Sequence, residues 1–374
     1  MSDQTLPEPD RVEGAPHPSE TPRLFGQDKA EQTFLDAYNQ GRLHHGWLLT
    51  GPKGVGKATL AWRMARYLLA TPEGDGGGLF GEALPDPISL DISPEHPVAR
   101  RMQAGSEAGL FVLRRTVDEK SNRLRSVITV DEVRKLKNFF ALSSADGGRR
   151  IVIVDAADEM NTSAANALLK VLEEPPEKTF LFLISHQPSR LLPTIRSRCR
   201  ELRLSPLSLG ELQQALVQAE VSADQAPESL IALSGGSVGE AVRLANLEGV
   251  KLYQAILSVI ETMPRFDRQK AQALADLTTG RGVEERRALL FTLIDLIMAR
   301  ISKAGVLGEQ PLSEVIAGES AIFTRLCPDA QKARKWAEAA QEISDRNAHG
   351  LAVNLDPAAL ILDTVFRIQK TAEG

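Results

Sequence analysis

The fold of this chain is decided by residues 51–59, which read Gly51-Pro52-Lys53-Gly54-Val55-Gly56-Lys57-Ala58-Thr59. The apolar run 47–49 before this stretch predicts a buried strand, and residues 60–69 after it predict a helix. A glycine-rich turn between a strand and a helix directs backbone N–H groups at an anion, and its lysine supplies a charge for the outer phosphates. The stretch therefore predicts a phosphate loop in an α/β domain, with a purely structural glycine turn as the alternative.

The loop departs from the usual motif at the residue after the lysine. A Ser or Thr hydroxyl normally ligates magnesium there, whereas this chain has the methyl group of Ala58. Thr59 is no simple substitute, because the next residue along a helix lies about 100° further round the axis. We therefore expect ATP or ADP to bind weakly at most, and a role for Mg²⁺ is doubtful.

A second strand is predicted at residues 151–155, where four consecutive β-branched residues precede Asp155. In P-loop NTPases this acid orders magnesium and an adjacent acid polarises the attacking water. The adjacent residue here is Ala156, and Asp158 is too far along to be assumed a replacement. The alternative for Asp155 is that it only caps its strand.

A third apolar strand, residues 180–184, ends at Ser185, whose hydroxyl is placed to contact a phosphate. The predicted nucleotide-binding residues are Gly51, Gly54, Val55, Gly56, Lys57, Ala58, Thr59, Asp155 and Ser185.

Composition excludes several classes of protein. The net charge of −5 argues against a chain that binds nucleic acid tightly by itself. The two cysteines, Cys199 and Cys327, are too few for a four-thiolate zinc site, and they suit a reducing cytosol, so we expect a cytoplasmic protein without zinc. No run reaches the ~18 apolar residues that span a membrane. The most apolar helix, residues 288–301, is interrupted by polar residues and is predicted to be a core helix.

The pattern of elements changes along the chain. Residues 1–22 are polar and proline-rich and predict a disordered tail. Strands alternate with helices from residue 23 to residue 206, which predicts a parallel sheet with helices on both faces. Only helices are predicted beyond that point. The capping pairs Ser208 with Glu211 and Ser237 with Glu240 mark two helix starts, and four amphipathic helices follow after residue 249.

Several motifs resemble the clamp-loader branch of the AAA+ proteins, as found in bacterial DNA polymerase III. They extend over residues 24–204, and the last two are far more specific than a phosphate loop alone. The motifs are Phe25-Gly26-Gln27, the run 44–49, the phosphate loop, Asn166 to Pro176, and Pro193 to Cys199.

The resemblance implies an organisation and a set of partners. It implies an AAA+ nucleotide-binding-like α/β domain at 23–206, a helical lid at 207–248 and an all-α collar at 249–374. The segment around Gln27 is expected to pack beside the phosphate loop. The implied partners are the other clamp-loader subunits, delta and the ATPase subunits gamma and tau, and through the complex the sliding clamp and primed DNA. Many relatives carry a four-cysteine zinc module, but the corresponding residues 71–97 contain no cysteine.

The departures from the family pattern indicate which kind of subunit this is. An active loader ATPase would carry a hydroxyl at Ala58, an acid at Ala156 and a lid arginine at Gly239. Arg198, however, occupies the position of the family's arginine finger, which reaches into the ATP site of an adjacent subunit. The alternative for Arg198 is a surface salt bridge.

The favoured prediction is a non-hydrolysing clamp-loader subunit that functions in trans. One rival is an active AAA+ ATPase, such as the loader's own ATP-hydrolysing subunit, using Thr59 and Asp158. Another rival is a plain DNA-binding protein, which the acidic balance disfavours.

Overall fold

The structure is a computed structural model. It describes residues 8–9, 11–71, 86–118, 123–142, 148–221, 227–265, 267–280, 283–307 and 314–374. The chain divides into two compact units. The first comprises residues 1–220 with 236–240, and the second comprises residues 221–235 with 241–374.

The first unit is built on a five-stranded parallel sheet among the described residues. Its strands are β1 (Gly46–Thr50), β2 (Leu110–Arg114), β5 (Arg150–Asp155), β6 (Thr179–Ser185) and β7 (Arg200–Arg203). They lie in the order β2-β5-β6-β1-β7, and a separate antiparallel pair is formed by β3 (Val117–Asp118) and β4 (Arg123–Leu124). The predicted α/β fold with a parallel sheet is confirmed.

Helices cover both faces of this sheet. They are α1 (Asp28–Asn39), α2 (Lys57–Ala70), α3 (Pro97–Gln103), α4 (Val130–Leu142), α5 (Thr162–Glu173), α6 (Pro193–Arg196) and α7 (Leu209–Gln218). On one face the Phe34 ring packs on Trp47 and Phe182, with ring centroids 5.3 Å and 6.1 Å apart. On the other face Val152 and Val154 belong to a core cluster with residues of α4 and α5. Burial on two sides explains why β5 is apolar without alternation.

The second unit is helical throughout its described residues. Its helices are α8 (Pro227–Ser234), α9 (Val238–Asn246, which begins in the first unit), α10 (Gly249–Ile260), α11 (Arg268–Asp276), α12 (Glu284–Leu307), α13 (Glu319–Leu326), α14 (Ala330–Ala352) and α15 (Pro357–Glu373). The predicted core helix lies within α12, which packs chiefly against α14. None of the described helices combines the length and hydropathy needed to cross a bilayer.

The predicted capping residues act as expected. Ser208 and Glu211 form a complete capping box at α7. Ser237 Oγ accepts from Glu240 N at 3.1 Å near the start of α9. The two-unit division separates parts of the predicted lid, residues 207–248, so the lid and collar boundaries stay predictions.

Candidate nucleotide site and arginine finger

The phosphate loop has the predicted context, because it joins the end of β1 to the start of α2. Gly51, Gly54 and Gly56 adopt φ values of 141°, 78° and 98°, which side-chain-bearing residues rarely adopt. A Cβ atom at Gly51 would lie 2.4 Å from the carbonyl oxygen of Leu204. Backbone geometry therefore requires these glycines whether or not a nucleotide binds.

Lys57 is turned into its own loop. Its Nζ donates to the carbonyl oxygens of Gly51 at 2.7 Å and Pro52 at 2.5 Å, and the residue is 3% exposed. Burial lowers the pKa of Lys57 to about 8, although Asp155 and Asp158 nearby favour its charged form. A phosphate would have to compete with these two carbonyls for the ammonium group.

The side chains of the residues around Lys57 differ in burial and in what they contact. Ala58 is partly exposed at the first turn of α2, and Thr59 is buried on a different side of the helix. Val55 is also buried, and its carbonyl oxygen accepts from Gln27 Nε2 at 3.2 Å. Gln27 Nε2 also donates to the carbonyl of Ser205 at 2.8 Å, so the expected packing of this segment beside the loop is confirmed.

The acidic residues after β5 differ in what they contact. Asp155 lies at the carboxyl end of the strand and is 9% exposed, followed by the buried Ala156. Asp158 accepts the backbone N–H groups of His186 at 3.0 Å and Gln187 at 3.1 Å, one on each carboxylate oxygen. Asp158 thus holds the turn after β6, a structural task that leaves it poorly suited to act as a general base.

The end of β6 brings two polar side chains to this region. Ser185 is fully buried, and its Oγ has no hydrogen-bond partner among the described residues. His186, which is not among the predicted site residues, has a buried Nδ1 that also lacks a partner within the described part of the chain. Burial, reinforced by the charge of Lys57, lowers the pKa of His186 to about 4. Its position directly after Ser185 was the signal that could have identified it.

Residues 236–240 close over the phosphate loop. Ser237 Oγ donates to the carbonyl of Lys53 at 2.8 Å, and Gly239 N donates to the carbonyl of Gly54 at 3.1 Å. A Cβ atom at Gly239 would lie 3.0 Å from the Cα of Gly54. Gly239, where the resemblance implies a lid arginine, therefore makes a tight backbone contact in this chain, and a side chain there would require the loop to shift.

The segment before α1 also lies along the site. The composition of residues 1–22 predicts a disordered tail, but the described residues from His17 to Pro22 contact α2. The ring of His17 packs edge-on against Trp62 with centroids 5.6 Å apart, and Arg63 Nη1 donates to the carbonyl of Pro22 at 2.9 Å. The buried guanidinium of Arg63 needs hydrogen-bond acceptors, and the backbone of this segment supplies one of them. The segment is therefore held against α2 by a contact that its polar composition does not predict.

Arg198 lies away from the phosphate loop. Arg198 lies beside the start of β1: a Cβ atom added at Gly46, the first residue of that strand, would be 3.2 Å from the Arg198 carbonyl oxygen. The phosphate loop follows Thr50, the last residue of the same strand. Because β7 runs parallel to β1, Arg198 and the loop lie at opposite ends of these strands, separated by roughly 13 Å of extended chain. The Arg198 guanidinium meets Glu173 Oε1 at 2.8 Å and the carbonyl of Thr194 at 3.1 Å.

Metal ligands are sparse in this region. Within the described residues, His, Cys, Asp and Glu side chains form no group of three or more that is spaced for a metal ion. Most of the segment 71–97, where relatives are expected to carry zinc cysteines, lies outside the described residues, since 72–85 are not among them.

A phosphate loop after β1, in a parallel sheet of order β2-β5-β6-β1-β7 followed by helices, defines a P-loop NTPase domain of the AAA+ class. Residues 26–208 match the family model described as DNA polymerase III, delta subunit. The expected resemblance to the clamp-loader proteins of bacterial DNA polymerase III is confirmed.

Several individual proteins are similar to this chain. The DNA polymerase III subunit delta' of Pseudomonas aeruginosa is 39% identical over 234 residues, which are 61% of this chain and 63% of that protein. The gamma/tau subunit of Mycobacterium bovis is 28% identical over 229 residues, covering 59% of this chain and 35% of that protein. A gamma subunit-related protein of Thermotoga maritima has a TM-score of 0.46 and 17% identity, covering 91% of this chain and 99% of that structure. The matched part is thus less than two thirds of the length of the delta' relative.

Proposed function

We propose that this chain is a non-hydrolysing subunit of a DNA polymerase III clamp loader that supplies Arg198 to the ATP site of an adjacent subunit. The complex would contain delta and the ATPase gamma/tau subunits, and it would load the sliding clamp onto primed DNA in the cytoplasm. The observation that carries the proposal is the placement of Arg198 at the end of the sheet opposite to the chain's own phosphate loop. A guanidinium at that end can serve a phosphate only if another molecule brings the phosphate to it.

The chain's own site supports the non-hydrolysing half of the proposal. Ala58 offers no magnesium ligand, Ala156 no water-polarising acid, and Asp158 is committed to backbone N–H groups. Lys57 contacts loop carbonyls, and residues 237–239 pack on the loop. The rival function, an active AAA+ ATPase, requires Asp158 and Thr59 to replace the missing groups.

The test is the ATPase activity of a reconstituted complex containing Arg198→Ala. We expect assembly to be retained and clamp- and DNA-stimulated turnover to fall. An arginine finger contributes ~10³ to 10⁵ in rate in GTPases, but only the one site beside this subunit would lose it, so the total loss is partial. Arg198→Lys should lower this turnover as well, because an ammonium group lacks the planar pair of donors with which a guanidinium binds two phosphate oxygens.

Arg196→Ala is the matched control, since Arg196 is an exposed arginine two residues away. Full turnover in a correctly assembled Arg198→Ala complex would contradict the trans role. An equal loss in Arg196→Ala would show that the effect is one of general surface charge.

A further inference from the structure

Glu173 and Arg198 form an ion pair at the edge of the first unit. Arg198 Nη2 lies 2.8 Å from Glu173 Oε1, while Nη1 donates to the carbonyl of Thr194 at 3.1 Å. The two side chains are 37% and 42% exposed, so the pair is open to solvent and to a neighbouring molecule. The carboxylate of Glu173 therefore contacts the same guanidinium group that, in the proposed function, binds a phosphate.

Buried neighbours fix the separation of the two residues. Leu172, next to Glu173, is 1% exposed, and its Cδ2 would lie 3.1 Å from a Cβ at Gly46. The Arg198 carbonyl and the Cys199 Sγ approach the same point from the other side, at 3.2 Å and 3.4 Å. The end of α5 and the turn before β7 are thus packed together around Gly46, and the ion pair is built into this frame.

The carboxylate stands where its own helix does not stabilise it. Glu173 is the last residue of α5, and the carbonyl ends of a helix disfavour negative charge. Arg198 is the cation that contacts it, and it comes from a different element of the chain. The position of Glu173 in its helix does not explain why an acid is found there. The ion pair with Arg198 does explain it.

We infer that Glu173 is a positioning residue for Arg198. Its carboxylate binds the guanidinium until a phosphate of the adjacent subunit's nucleotide displaces the carboxylate. Carboxylate and phosphate oxygens both accept from a guanidinium fork, so they compete for the same donors. An exposed ion pair is weak, which allows the exchange. The inference rests on the proposed trans function of Arg198.

The experiment compares Glu173→Gln with the unaltered chain in the reconstituted complex, with ATP concentration varied. Removing the competing charge should lower the KM for ATP by about twofold to fivefold, the range expected for an exposed pair. The effect on kcat should be smaller, because saturating nucleotide already displaces the carboxylate. Glu174→Gln, which neutralises the adjacent exposed acid, is the control and should leave KM unchanged.

The double variant Glu173→Gln, Arg198→Ala separates this role from a structural one. If Glu173 acts through Arg198, the KM shift disappears when Arg198 is absent. A shift of the same size in the double variant, an unchanged KM, or a raised KM in Glu173→Gln would each overturn the inference. If Arg198→Ala alone has no effect on turnover, the proposed function itself fails; if it lowers turnover while Glu173→Gln shifts nothing, only the role of Glu173 fails.

Discussion

At the scale of single residues, His186 shows how the site is tuned by burial. It follows Ser185 at the end of β6, close enough to Lys57 for the two charges to oppose each other, and its pKa falls to about 4. The unfolded chain would protonate the same histidine near pH 6.5. Below pH 6.5 the unfolded state therefore takes up a proton that the folded state does not, and this group costs stability as the pH falls towards 4.

We predict that His186→Gln loses less stability than the unaltered chain when the pH is lowered from 7 to 5. The measurement is the urea midpoint at both values for both proteins. His96→Gln is a suitable comparison, because this histidine lies at the N-cap of α3, outside β6 and the phosphate loop. Equal losses for His186→Gln and the unaltered chain would show that the imidazole is not the group responsible.

At the scale of elements, α5 links the sheet to the Arg198 region. Its N-cap is Asn161, whose Oδ1 accepts from Ala164 N at 2.8 Å, and its last residue is Glu173. A helix that leaves its first N–H groups without acceptors is destabilised, because these groups have no partner within the helix.

We predict that Asn161→Ala lowers the unfolding free energy of the chain by about 1 kcal/mol through loss of this cap. Denaturant titration followed by circular dichroism measures the change. Ser163→Ala on the exposed side of the same turn should be neutral within ~0.5 kcal/mol. A loss in Ser163→Ala as large as that in Asn161→Ala would argue against the cap as the cause.

At the scale of the whole molecule, the chain combines a phosphate loop with alanine at two positions, Ala58 and Ala156, where the family resemblance implies a hydroxyl and an acid. We predict that the isolated protein hydrolyses ATP no faster than its Lys57→Ala variant. Nucleotide binding should be weak and nearly independent of magnesium, because Ala58 cannot ligate the ion and Lys57 already has carbonyl acceptors. Coupled-assay turnover and calorimetric titration with and without magnesium test both parts. Turnover of ~1 per second that Lys57→Ala abolishes would instead identify an active ATPase.

The fold class could be predicted from the sequence alone, because the evidence for it is local. Strand, glycine loop and helix follow one another without a break at residues 46–70, and buried parallel strands need unbroken apolar runs such as that of β5. The absent hydroxyl at Ala58 and the absent acid at Ala156 are also legible in the sequence, since they are departures within a motif of fixed spacing.

The packing of residues 237–239 on the phosphate loop and the position of Arg198 could not be predicted from the sequence, because both depend on the three-dimensional fold. Ser237 and Gly239 reach the phosphate loop across more than 180 residues of chain, and no local pattern encodes that contact. The pairing of β1 with β7 places Arg198 at the opposite end of the sheet from the loop, and the end of α5 brings Glu173 to its guanidinium. These arrangements depend on which strands become neighbours and in what direction, a property of the packed sheet that periodicity along one segment does not contain.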